Sequence, residues 1–123
     1  NLRYAVNDAR KMQEVVGERL KANSEKYAEI VQVPLVSDYD QNDNLSVNTA
    51  QKAIIKGVFS LLSGNEKEVS PEILKQIPNR EKIKPIEPED TLLISYSGHG
   101  YTDQSGIFYL LPYDIGKEMT KLT

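Results

Sequence analysis

Thr91-Leu92-Leu93-Ile94-Ser95-Tyr96-Ser97-Gly98-His99-Gly100 is the stretch that decides the fold class. Its first six residues form a nearly continuous apolar run, the pattern of a strand covered on both faces. The run stops at a glycine-rich turn that holds the single histidine of the chain. A buried strand ending in such a turn delivers a side chain to the rim of a sheet, where open α/β proteins bind substrates. His99 is therefore the first candidate for an active-site residue. A histidine placed there most naturally acts as base for a cysteine nucleophile, yet the 123 residues contain no cysteine.

Working outward, the chain alternates helix and strand patterns. Upstream, Ala9, Met12, Val16 and Leu20 recur at spacings of three and four, with Ala5 and Val15 widening the stripe, which predicts an amphipathic helix that Asn7 or Asp8 is placed to cap. Tyr27 to Val36 has the β-branched density of a strand, and Pro34 suggests an edge or a bulge. Ser37 to Asn44 reads as a polar loop. Thr49 to Leu62 fits a 3.6-residue period, with Gly64 positioned to end the helix. Asn65 to Glu89 is rich in Lys, Glu and Pro and reads as a surface insertion, with Ser70-Pro71-Glu72 starting one short helical turn. After a loop from Gly98 to Gly106, Ile107 to Leu111 reads as a further strand closed by Pro112. The expected class is α/β.

Composition narrows the function classes. At 39% hydrophobic and 27% charged, the sequence suits one globular domain. A net charge of -3 with lysines scattered among glutamates offers no basic stripe, so nucleic acid is not an expected partner. No apolar segment approaches the roughly 18 to 20 residues that span a bilayer, and no membrane association is expected. The start at Asn1 resembles neither an initiator methionine nor a signal peptide. Cysteine usage leaves the compartment open, with the cytoplasm as the expectation.

Two motifs together carry a family resemblance. Leu2 to Met12 resembles the segment that opens the first helix of metacaspases and related caspase-like cysteine peptidases, and Ile94 to Gly100 resembles their histidine motif. Gly106 to Asp114 resembles the hairpin that follows it. The resemblance implies a caspase-like three-layer sandwich around a mostly parallel central sheet, and cysteine endopeptidase activity on a protein or peptide substrate. His99 would then be the general base and acid of a His/Cys dyad. The backbone N–H of Gly100 would supply one oxyanion donor, a contribution worth on the order of 3 kcal/mol of transition-state stabilisation. Asp8 and Ser97 match positions that line the primary specificity pocket, and a carboxylate there favours substrates with Arg or Lys. Asp8 as a helix cap and Ser97 as a turn residue are the structural alternatives.

The departures are equally informative. The family's nucleophile lies on a strand beyond this hairpin, and its first, central strand precedes Leu2, so residues 1–123 are expected to be part of a larger caspase-like domain whose remainder is an obligatory partner. Without that central strand, the Tyr27 to Val36 and Thr91 to Tyr96 segments should show unpaired backbone groups and exposed apolar edges. No organic cofactor or resident metal is implied. The acidic cluster that binds calcium in many metacaspases is thin here, with Asp103 and Asp114 alone in the corresponding stretch. Asp38-x-Asp40-x-Asn42-x-Asn44 starts like a calcium loop, but Asp43 stands where glycine is needed and Thr49 where a bidentate glutamate is expected. Ser97, two residues from His99 on the same strand end, is badly placed to be its nucleophile. The other reading of the chain is a catalytically inactive caspase-like module used for protein interaction or assembly.

Overall fold

A computed structural model of the chain describes residues 3–23, 25–39, 42 and 45–112. It combines helices with two small antiparallel hairpins. In order these are α1 (Arg3–Ala22), β1 (Ser37–Tyr39), β2 (Leu45–Asn48), α2 (Lys52–Leu62), α3 (Pro71–Leu74), β3 (Gly100–Thr102) and β4 (Phe108–Leu110), with short 3-10 turns at Glu66–Glu68 and Arg80–Lys82. β1 pairs with β2 and β3 with β4, and no parallel ladder forms among the described residues.

The core is built on α2. Ile54 is fully buried and joins Leu61 and Ile77 in a cluster, against which Val33, Leu35, Val58, Ile73, Leu74 and Ile83 pack. Gly57 allows the close approach: a Cβ there would lie 3.0 Å from Ile73 Cγ2 and 3.2 Å from Ile77 Cδ1. α2 ends as its sequence requires. Gly64 adopts φ +81°, its N–H donates to Leu61 O at 3.2 Å, and Asn65 N–H donates to Ser60 O at 2.8 Å, the paired bonds of a left-handed C-terminal cap.

Several expectations are corrected here. The 65–89 stretch is more than a surface insertion, because Val69 and Ile77 are buried and Ile73, Leu74 and Ile83 join the core. Asn79 Nδ2 also donates to Gln32 O at 2.7 Å, and Ile86 N–H to Leu62 O at 2.7 Å, so the stretch is tied to the body at both ends. Within it, Ser70 does start a helix, its Oγ accepting from Ile73 N–H at 3.3 Å with Pro71 in the first turn. α2 begins at Lys52 and not at Thr49. The Thr49 hydroxyl is engaged elsewhere, accepting from Val36 N–H at 3.0 Å and donating to Val36 O at 3.1 Å, which closes the neck of the β1–β2 hairpin. The polar loop expected at Ser37 to Asn44 contains β1.

α1 already begins at Arg3, so Asn7 and Asp8 lie inside the helix and cap nothing. Its face is also rotated from the expected stripe. Val6 and Gly17 are buried, whereas Met12 and Val15 are 46% and 41% exposed. Gly17 is where Gln32 approaches: Gln32 Nε2 donates to Gln13 O at 3.0 Å and Gln13 Nε2 donates to Gln32 Oε1 at 3.4 Å. Gln32 thus holds α1 while its neighbours Val33 and Leu35 pack toward α2, placing the 29–36 segment between two helices.

Neither Tyr27–Val36 nor Thr91–Tyr96 is part of a ladder. The parallel sheet expected around them is absent among the described residues: apart from Val36, which bonds Thr49, and the Gln32 carbonyl, which accepts from Asn79, their main-chain groups have no hydrogen-bond partner there. Leu93 and Ile94 are 64% and 60% exposed, unlike residues of a covered strand.

Candidate active site

The Thr91–Tyr96 segment leads into Ser97, Gly98 and His99, and β3 starts at Gly100. The turn is fixed through its backbone. Tyr96 folds its phenol back over it, the hydroxyl lying 2.8 Å from His99 O and 2.7 Å from Leu111 O, while Leu111 N–H donates to His99 O at 3.0 Å. Partial burial raises the Tyr96 hydroxyl above the ordinary tyrosine pKa, so it stays a neutral donor. The His99 carbonyl is thereby anchored from two sides. Its imidazole is exposed and hydrogen-bonded to no described residue, leaving both ring nitrogens available to chemistry.

The two glycines are required by neighbouring rings. A Cβ on Gly98 would sit 2.7 Å from Tyr96 Oη, and one on Gly100 would enter the ring of Phe108. The hairpin register fixes what the Gly100 amide can do. Gly100 faces Leu110, Tyr101 faces Tyr109 and Thr102 faces Phe108. Bonds from Leu111 N–H to His99 O and from Asp103 N–H to Ile107 O flank the ladder, so Gly100 and Leu110 form a pair that exchanges no hydrogen bonds. The Gly100 N–H therefore points away from β4, with no partner among the described residues.

Asp103 closes the far end of the hairpin. Its carboxylate accepts from Ser105 N–H at 2.8 Å, Ile107 N–H at 3.0 Å and the Tyr109 hydroxyl at 3.0 Å, while Gly106 turns the chain with φ +82°. The Ile107 amide, and then the Tyr109 hydroxyl with the Ser105 and Gly106 amides, hold the Asp103 carboxyl below its usual range. The hydrogen bond to the carboxylate raises Tyr109 in turn. Asp103 is therefore committed to the turn. No group of His, Cys, Asp or Glu side chains among the described residues is arranged to hold a metal ion, and Asp40, Asp43, Asn44 and Asp114 lie outside them.

The sequence-derived site is only partly assembled. His99, Gly100 and Ser97 share one turn; Ser97 is half-buried and its hydroxyl makes no hydrogen bond with a described residue. Asp8 is exposed on α1 and forms no ion pair or hydrogen bond with a described residue. The next residue, Ala9, lines a cleft with Thr91 and Ser95, so α1 runs along the segment that delivers His99. The packing of Phe108 and the turn role of Asp103 were not read from the sequence, although Asp103-Gln104-Ser105-Gly106 contains the Asp and Gly of a hairpin connection.

Comparisons with protein-family models, with curated proteins and with solved structures find no significant match. No helix among the described residues is long and apolar enough to cross a membrane.

Proposed function

We propose that the chain is the histidine-bearing part of a caspase-like cysteine endopeptidase that cleaves after Arg or Lys, its nucleophile lying outside these 123 residues. The observation that carries this reading is the turn itself: an exposed imidazole on an anchored backbone, next to a glycine amide that the hairpin register leaves unpaired. Those are the base and one oxyanion donor of an acyl-transfer site. Contacts of the 29–36 segment with both helices are compatible with this reading: Gln32 bonds α1 and Val33 and Leu35 pack against the α2 cluster.

In this mechanism His99 takes the proton of an approaching thiol and the thiolate attacks the scissile carbonyl. The oxygen of the tetrahedral intermediate accepts from Gly100 N–H, and His99 returns the proton to the departing amine. Asp8 and Ser97 would line the pocket for the basic side chain. The test is hydrolysis of peptidyl-Arg, peptidyl-Lys and peptidyl-Asp substrates by the polypeptide that carries this chain together with a cysteine-bearing segment. Cleavage after Arg and Lys that is abolished by thiol alkylation is expected; alkylation-resistant cleavage contradicts the reading. Asp8→Ala should selectively weaken the Arg and Lys substrates, and an unchanged profile removes Asp8 from the pocket.

A second reading, an inactive caspase-like module for assembly, draws on the exposed apolar residues Leu93, Ile94 and Phe108. It requires that no cysteine follow the hairpin on a buried strand.

A further inference from the structure

One face of the β3–β4 hairpin carries a cluster that the catalytic reading does not use. The register puts Tyr101 directly across from Tyr109, and their rings lie with centroids 6.4 Å apart at 33°, each residue about half exposed. Successive strand residues point to opposite faces, so this pair stands on the side away from the Phe108 ring that crowds Gly100. The Tyr109 hydroxyl donates to Asp103 Oδ2 at 3.0 Å, while the turn amides of Ser105 and Ile107 both bond Oδ1. Oδ2 thus keeps room for a second donor. The Tyr101 hydroxyl has no hydrogen-bond partner among the described residues. The bond to Asp103, the charge of Asp103, desolvation and lastly the nearby Tyr101 phenol raise the Tyr109 hydroxyl above its ordinary range, so it stays a neutral phenol whose oxygen can still accept. No cation offsets this group of acceptors. Asp103 forms no ion pair with a described residue, and the sequence holds no Lys or Arg between Lys84 and Lys117.

We propose that Tyr101, Tyr109 and Asp103 form a binding site for the guanidinium of an arginine side chain presented by a partner polypeptide. A cation is attracted both by the ring faces and by the ionised carboxylate, whereas a sugar or an aliphatic side chain gains nothing from the charge. The kind of cation follows from the acceptors. A quaternary ammonium has no N–H to give them, and a lysine ammonium has donors but no flat surface to lay on a ring. Guanidinium has both: its plane stacks on tyrosine while its fork of donors reaches the carboxylate and the phenol oxygens. The inference does not rest on the peptidase reading, since it uses none of the residues assigned to catalysis and its test needs no hydrolysis.

The test is a titration of the full chain, its tyrosine rings isotope-labelled, with acetyl-arginine methylamide, read from the ring resonances of Tyr101 and Tyr109. Saturable shifts of both rings are expected. The citrulline analogue, which keeps the shape and loses the charge, should bind about tenfold more weakly, and the lysine analogue about threefold more weakly. Tyr101→Leu removes one ring and no hydrogen bond among the described residues, and should weaken arginine binding about threefold while the hairpin amides exchange as before. The analogue series on the parent chain decides the matter even where that substitution disturbs the hairpin. Absent shifts, citrulline or lysine binding as tightly as arginine, or unchanged affinity in a Tyr101→Leu chain with an intact hairpin overturns the proposal.

Discussion

The ring of Phe108 occupies the space that a Cβ on Gly100 would need, so this glycine serves packing whatever its amide does. Gly100→Ala should displace the exposed Phe108 ring and loosen the hairpin, seen as faster exchange of the Tyr101 and Tyr109 amides. Adding Phe108→Ala should restore those amides. A hairpin that stays loose in the double variant would show that the ring is not the obstacle. This pair also separates architecture from catalysis, because the Gly100 N–H survives both changes. Asp103 gives a pH signature at the same scale. Its carboxyl is held below the ordinary value of 3.8, so the loop gains stability that is present above that value and lost as pH falls through the lower folded pKa. Ser105 and Ile107 amides should therefore deprotect only in strong acid, below the range where free carboxylates titrate. Asp103→Asn should leave them no such transition, and an unchanged transition in that variant would assign it to another group.

Among the elements, α2 and its partners carry the measurable stability. Ile77 is 4% exposed and touches the α2 cluster from the proline-rich stretch. Ile77→Ala should cost about 2–5 kcal/mol in urea unfolding, the range for truncating a core aliphatic residue. A loss below about 0.5 kcal/mol, the scale of surface changes, would return the 65–89 stretch to the surface. The sequence made α2 legible because its apolar period, its glycine at position 57 and its cap at Gly64 all agree. It hid the role of Val69 and Ile77, because prolines and charges dominate the composition there and no periodicity runs long enough to show a buried face. The β1–β2 hairpin was hidden too: its strands are three and four residues long, and Thr49 Oγ1, which bridges Val36, looked like the start of a helix. The start of α1 was misplaced because Asn7 and Asp8 resemble caps when the preceding residues are not seen in register.

At the scale of the whole molecule, the described residues form two separate antiparallel hairpins and no common sheet. Leu93 and Ile94 are exposed, and across 29–35 and 91–95 the Gln32 carbonyl is the one main-chain group with a hydrogen-bond partner among the described residues. The turn at His99 is nevertheless held by local bonds from Tyr96 and Leu111, so the candidate site has a defined backbone geometry. The nucleophile of the proposed mechanism has no candidate in the sequence, which contains no cysteine. The most direct test of the central claim is kcat/KM for a peptidyl-Arg substrate in the polypeptide that joins this chain to a cysteine-bearing segment, compared between the parent and His99→Ala. The account predicts a fall of about 10²–10⁴-fold, the range for losing a general base, with α2 amide exchange unchanged. Undiminished hydrolysis in His99→Ala would contradict it.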